Sequence, residues 1–306
     1  MIETEIPHIP VLFDEVIETF QDLKDGYIID CTLGYGGHSL GILESNPNIK
    51  LICNDQDDEA LAFSKNRLQK HQERIIFSKG NFKDVINRYK DKNIVGILAD
   101  IGVSSLQLDK DERGFGFNSQ TLDMRMDQNQ ELSANQIVNE YSQSELEHIF
   151  KEYGEVKEYK KVASLIVQNR PFISAKELAD FLSTKMFKGK LHPATLPFQG
   201  IRIAVNNELG VLEELFEQIE LANFSDTTVA IISFHSLEDR IVKNYFKQWM
   251  KKCVCPPHIE RCVCGNNHQK GKILTKKPII PTAKEIKVNA RSRSSKMRIF
   301  KFDSNR

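Results

Sequence analysis

The sequence predicts an α/β fold, a Rossmann-like parallel sheet interrupted by an inserted helical domain. Three observations carry this. Short buried-strand patterns alternate with helical stretches over roughly the first hundred residues. Strand signals then vanish from about residue 107 to about 206, where helix-start signals multiply. A strongly apolar run returns at 227–234, and an alternating segment follows at 296–301. Residues 1–109 and 207–306 are expected to form one discontinuous domain and 110–206 the insertion, within the one or two domains that 306 residues allow.

The elements follow in order. Tyr27-Ile28-Ile29-Asp30-Cys31 is a buried-strand pattern ending in a glycine-rich turn, and Lys50–Asn54 is a second strand. Asp57–Lys70 reads as a helix with Leu61 and Leu68 on one face. Arg74–Phe77 and Asn93–Ala99 are the third and fourth strands. In the insertion, Ser133, Ser142 and Ser174 stand before helical stretches. Glu145 and Glu177 lie three residues after two of them, as in capping boxes, and Pro171 and Gly189 punctuate the helices. Leu209, Leu212, Leu215, Phe216 and Ile219 lie at helical spacing. A buried strand over Thr227–Phe234, a helix over about 237–251 and a closing strand over Lys296–Lys301 complete the reading, with no internal repeat.

Charged residues make up 27% and hydrophobic ones 40%, an ordinary globular composition. No apolar run approaches the roughly 18 residues of a membrane span, and the acidic segment Met1–Pro7 lacks a signal pattern. A cytoplasmic protein without membrane association is expected. The formal net charge of +0 conceals an asymmetry. Arg240–Arg306 carries 18 Lys+Arg against 3 Asp+Glu, a net +15, and the remainder carries −15. A basic segment on an acidic body is the electrostatic footprint of a polyanion such as nucleic acid.

The turn after the first strand, Asp30-Cys31-Thr32-Leu33-Gly34-Tyr35-Gly36-Gly37-His38-Ser39, opens a helix. Its glycines let backbone approach a ligand closely. A nicotinamide fold would place its third glycine at position 39, which is Ser39. The pair Gly36-Gly37 suits a loop around the amino-acid end of S-adenosylmethionine better. Asp55, at the tip of the second strand and 19 residues after Gly36, suits a ribose diol, which either cofactor carries; an alternative is a helix cap. Phe82, in Gly80-Asn81-Phe82, could pack on an adenine or in the core. Asp100 ends the fourth strand, where reactants of open α/β sheets collect.

At Asp100 the residues become specific. Asp-Ile-Gly-Val-Ser-Ser-Leu-Gln-Leu-Asp over 100–109 resembles the fourth motif of the bacterial ribosomal RNA small subunit methyltransferase H family, also called MraW. The resemblance extends over nearly the whole chain. It includes His8–Leu12, the Asp30–Ser39 loop, Arg113–Phe117, Leu122–Asp127, Tyr153–Glu155, Phe198–Leu209, Ser233–Lys243 and Asn289–Arg298. Gly200 stands where Ala is commoner, and Leu106 where Pro is commoner.

The resemblance implies a class I S-adenosylmethionine methyltransferase. It implies S-adenosylmethionine as donor and N4 of a decoding-region (P-site) cytidine in 16S rRNA as acceptor. It maps cofactor contacts to Gly34, Gly36, Gly37, His38, Asp55, Phe82, Asp100 and Gln107. The partner would be 16S rRNA in the small ribosomal subunit or a late assembly intermediate; a homodimer stays open.

Methyl transfer to a conjugated amine needs alignment with the sulfonium and an acceptor for the charge developing on nitrogen, a role that suits Asp100. The chain lacks the Pro-Pro-aromatic clamp of DNA amino methyltransferases. Phe115 or Phe117 could stack on the base, and Asn118 or His235 could bond its edge, though His235 suits a buried structural role slightly better. The base would have to leave its stack, and Arg291, Arg293, Lys296 and Arg298 are expected to meet RNA phosphates. Cys31 and Cys53 read as core residues. No metal is assigned, although Cys253, Cys255, Cys262 and Cys264, with His258 and His268 near, form a candidate zinc cluster. Its Cys-x-Cys pairs are tighter than the usual spacing. The competing readings are a DNA amino methyltransferase, an assembly protein binding RNA with a structural cofactor, and a nicotinamide oxidoreductase.

Overall fold

The computed structural model describes residues 9–104, 107, 108, 110–186, 189, 191–256 and 258–304. Segment 1–7 and the motif residues His8, Ser105, Leu106 and Asp109 lie outside the described residues. The chain divides into two compact units, Met1–Gly102 with Gly210–Arg306, and Val103–Leu209. The first division therefore falls just past the fourth strand rather than at 109. The reason is local: Val103 and Leu108 already pack against the core of the second unit.

In chain order the elements are α1 (Phe13–Phe20), β1 (Gly26–Asp30), α2 (Gly37–Ser45), β2 (Ile49–Asp55), α3 (Asp58–Arg67), β3 (Ile75–Lys79), α4 (Phe82–Tyr89) and β4 (Ile94–Asp100). The second unit holds α5 (Ala134–Glu140), α6 (Gln143–His148), α7 (Tyr159–Gln168), α8 (Ala175–Lys185) and α9 (Thr195–Asn206), with a π-turn over Ile149–Tyr153 after α6. There follow α10 (Glu208–Ala222), β5 (Thr228–Ser233), α11 (Ser236–Trp249), β6 (Gly271–Ile273), α12 (Ala283–Val288) and β7 (Lys296–Phe302).

The seven strands pair in the order β3-β2-β1-β4-β5-β7-β6. The five from β3 to β5 are parallel, and β7 runs antiparallel to both β5 and β6. This is a doubly wound, Rossmann-like sheet. Its central strands are near-continuous apolar runs because helices cover both faces. The two-residue side-chain period splits them between two cores. Ile29, Ile97 and Ile231 join Leu212, Phe216 and Trp249 on one face, while Ile28, Leu98 and Ile232 join Ile42 and Val16 on the other. Chain order reverses between β1 and β4, and the crevice beyond their carboxyl ends is where such sheets bind ligands.

Several elements depart from the sequence reading, among them helices α1, α4 and α12, which it does not include. The helix expected to run to Lys70 stops at Arg67 and tightens into a 3₁₀ turn over Gln69–Arg74. Arg74 holds that turn by donating to the carbonyls of Leu43, Asn46 and Ile49. The three-residue β6 was not anticipated, being too short to show a period.

Among its described residues the second unit has helices and no strand. Its core gathers Ile137, Val138, Leu146, Phe150, Val162, Ile166, Leu178, Leu182, Phe198 and Ile201. Ser142 and Ser174 cap α6 and α8 by accepting from the backbone N–H of Glu145 and Glu177. Gly200 has a packing reason: a Cβ there would lie 3.1 Å from both the Gly154 nitrogen and the Ile149 oxygen, so α9 sits close against the π-turn.

Candidate active site

The carboxyl edge of the sheet is lined by acids. Asp30 ends β1, Asp55 ends β2 and Asp100 ends β4, while Glu238 follows β5 in the first turn of α11. Burial pushes Asp30 and Asp55 up to about 6. Asp100 is pushed up to about 8, first by burial and then by the negative charges of Asp30 and Glu238. Its side chain is a quarter exposed. Even so, its Oδ1 is buried without a hydrogen-bond partner, and its backbone N–H is fixed by the Thr32 hydroxyl at 2.7 Å.

The loop after β1 is built around these acids. Asp30 accepts from the Ser39 hydroxyl (2.6 Å) and the Thr32 N–H (3.2 Å). Ser39, which stands where a nicotinamide fold would need glycine, therefore ties α2 to the end of β1. Gly34 (φ 51°) and Gly36 (φ 70°) are left-handed, and a Cβ on Gly34 would meet nothing within 4 Å. That side of the loop is open. A Cβ on Gly37 would come 2.4 Å from Pro10, so its glycine permits a close approach of chain rather than a turn. Asp55 accepts from Gly34 N–H (2.8 Å) and Asp57 N–H (2.9 Å), joining the first two strand tips. Asp57, not Asp55, caps α3 by accepting from Glu59 N–H.

His38 sits in α2, where burial lowers its pKa to about 4, so the ring is neutral at pH 7. Its Nε2 lies 2.9 Å from the Val11 carbonyl, which can only accept; the proton is therefore on Nε2. Its Nδ1 faces Asp100 Oδ2 at 3.9 Å. Phe82 is half-buried at the start of α4, partly packed against the sheet core.

Other sequence candidates fall elsewhere. Gln107 is buried in the second unit, where its Oε1 accepts from Ser104 N–H at 3.0 Å. Phe115 is a core side chain of that unit, 8% exposed. Phe117 is half-buried, stacked on His192 (4.7 Å) and edge-on to Phe198 (5.1 Å). Asn118 is exposed. His235 is the N-cap of α11: its Nδ1 accepts from Glu238 N–H, and its Nε2 lies 3.0 Å from Glu238 Oε1. That is the structural placement favoured from sequence.

The basic candidates also divide. Arg291 and Arg293 are exposed in the turn Ala290–Ser294. Arg298 forms a two-pronged pair with Asp239 at 2.6 and 3.1 Å, and Lys296 lies 3.7 Å from the same carboxylate. Arg298 thus anchors β7 to α11 and is not a free cation for phosphate, a correction to the sequence expectation. Asp30, Thr32 and Glu238 had not been singled out. The signal for Asp30 was present: an acid at the tip of the first strand, directly before the glycine loop.

A family model described as the MraW methylase family matches residues 5–303. The chain is 73% identical over 299 residues to the ribosomal RNA small subunit methyltransferase H of Aliarcobacter butzleri, covering 98% of this chain and 100% of that one. It is 57% identical to the protein of the same name from Sulfurimonas denitrificans, with 96% and 98% coverage. Among solved structures, precorrin-6y C5,15-methyltransferase from Geobacter metallireducens is 8% identical with a TM-score of 0.41, covering 96% of this chain and 88% of that one.

Proposed function

The chain belongs to the MraW methylase family, and from that premise we propose that it uses S-adenosylmethionine to methylate 16S rRNA in the small ribosomal subunit. The acceptor we propose is the exocyclic N4 amine of a decoding-region cytidine. The observation that carries the reading is the buried, unpartnered Oδ1 of Asp100 at the reversal point of the sheet. Full-length similarity to relatives named for small-subunit rRNA methylation supplies the substrate class.

The residues fit the donor. S-adenosylmethionine carries a sulfonium and an ammonium, and three acids, Asp30, Asp55 and Asp100, end strands at the carboxyl edge of the sheet. Gly34 leaves open space beside its backbone, and Asp55 keeps lone pairs for the two ribose hydroxyls. Phe82 would flank the adenine. When bound, the donor supplies an electrophilic methyl group.

The chain's own residues do the rest. Asp100, held by Thr32 and backed by neutral His38, accepts a hydrogen bond from the cytosine amine and offsets positive charge developing on it. His38 sits beside Asp100, with its Nδ1 3.9 Å from Oδ2, and takes no proton at neutral pH. Exposed Arg291 and Arg293 would meet RNA phosphates.

The test uses small subunits from cells lacking the modification, methyl-labelled S-adenosylmethionine and mass spectrometry of released nucleosides. N4-methylcytidine that disappears with Asp100→Ala is the expected result. Label on another nucleoside would overturn the acceptor assignment, and near-normal turnover of Asp100→Ala would remove that residue from the chemistry.

A further inference from the structure

We propose that Cys253, Cys255, Cys262 and Cys264 form a tetrathiolate zinc site that holds the segment between α11 and β6 in one conformation. All four sulfurs lie within 4.8 Å of one another. The sulfur–sulfur separations are 3.5 Å for Cys253–Cys262, 3.5 Å for Cys262–Cys264 and 3.7 Å for Cys264–Cys253. Zinc–sulfur bonds of about 2.3 Å in a tetrahedron require sulfur–sulfur edges of about 3.8 Å. A disulfide requires about 2.05 Å. The geometry matches the first and not the second.

The tight Cys-x-Cys spacing is accommodated because the two pairs come from facing loops. Val254 N–H, in the first pair, points at Cys264 Sγ (3.4 Å), and Val263 N–H, in the second, points at Cys255 Sγ (3.3 Å). Backbone N–H groups of Cys255 and Asn266 also reach Cys253 and Cys264. Gly265 (φ 84°) and Asn266 (φ 53°) are both left-handed, turning the chain so that the Asn266 N–H faces the sulfur. His268 lies outside the sulfur cluster; its Nε2 bonds the Cys264 carbonyl at 2.8 Å and braces that turn.

Nothing apolar holds this segment together. No described residue between 251 and 270 is buried, and Val254 and Val263 are 53% and 79% exposed. A compact loop without a core needs a crosslink or a metal. Four thiolates on one zinc carry a net charge of −2, which Lys251, Lys252 and Arg261 of the same segment offset. Cys31 and Cys53 are buried elsewhere and take no part.

The test is elemental analysis of the untagged full chain, purified under reducing conditions without chelator or added metal. One zinc per chain is expected, and Cys53→Ala should retain it. Cobalt substitution should give the thiolate charge-transfer and intense visible bands of a tetrahedral sulfur site. Cys262→Ser alters the exposed ligand and should lose those bands while the circular dichroism spectrum is unchanged. Removal of metal should raise the rate of tryptic cleavage at Lys252 and Arg261 at least tenfold. Less than a tenth of a zinc per chain, iron in its place, or a disulfide among the four cysteines under those conditions would overturn the site. Equal cleavage with and without metal would overturn its role in holding the loop.

Discussion

Binding of S-adenosylmethionine at neutral pH should expel close to one proton, most of it from Asp100. In the free protein the Asp100 carboxyl titrates at about 8, so at pH 7 it is about 90% protonated. Placing a cation beside it favours the ionised form and pulls that pKa down. If it falls well below 7, about 0.9 proton leaves. Asp30 and Asp55, titrating at about 6, add about 0.1 each. Titration calorimetry in buffers of different ionisation enthalpy reads the release as a slope, and Asp100→Asn should remove most of it. The same linkage makes affinity rise with pH, by about 50-fold from pH 6 to pH 8 through Asp100 alone. For the free protein the sign is opposite. A carboxyl raised from its ordinary 3.8 to about 8 favours folding below the lower value, and that contribution is lost as pH climbs towards the upper one. A flat affinity between pH 6 and 8, or equal proton release by Asp100→Asn, would refute the argument.

Other perturbations follow from the same geometry. Gly36→Ala puts a side chain at φ 70° with its Cβ 3.2 Å from Ser64 Oγ, and should cost about 1–2 kcal/mol of stability with a drop in donor affinity, read by chemical unfolding and calorimetry. Trp249→Ala removes a fully buried ring packed on Phe216, Phe246, Phe300 and Phe302, and should cost about 3–5 kcal/mol in denaturant unfolding. Charge reversal at both Arg291 and Arg293 should weaken binding to small subunits and steepen no loss of donor affinity; equal loss of both would indicate misfolding. Arg298→Met removes both prongs of the pair with Asp239 and leaves that carboxylate to Lys296 alone, so it should lower the melting temperature more than Arg293→Met does.

What sequence could and could not show follows from range. The strands were legible because a parallel sheet covered on both faces demands unbroken apolar runs, as at Ile28-Ile29 and Val229–Ile232. The caps at Ser142 and Ser174 were legible because their partners lie three residues away. Arg298 was misread because its partner, Asp239, is 59 residues off, and an unpaired and a paired arginine look alike in one dimension. The burial of Phe115 was hidden for the same reason: it packs in a core with residues as distant in sequence as Phe198 and Ile201. His235 was open to two readings, and the nearby Glu238, three residues along, already contained the capping answer.

The last of the competing chemistries is weighed by the sign of the charge at the sheet edge. A dinucleotide needs its pyrophosphate at the glycine loop, cradled by free N–H groups and a helix start. Here the loop encloses Asp30, and Gly34 N–H is already spent on Asp55. Position 39, where glycine would bring helix and strand together, carries a hydroxyl whose job is to bond Asp30. Each arrangement raises the negative potential where a pyrophosphate would have to sit, and at Asp100 the charges of Asp30 and Glu238 add to burial in raising the carboxyl. A donor with two positive centres relieves that strain, whereas an anionic cofactor adds to it. Acids at this edge would therefore favour a sulfonium donor over an anionic cofactor.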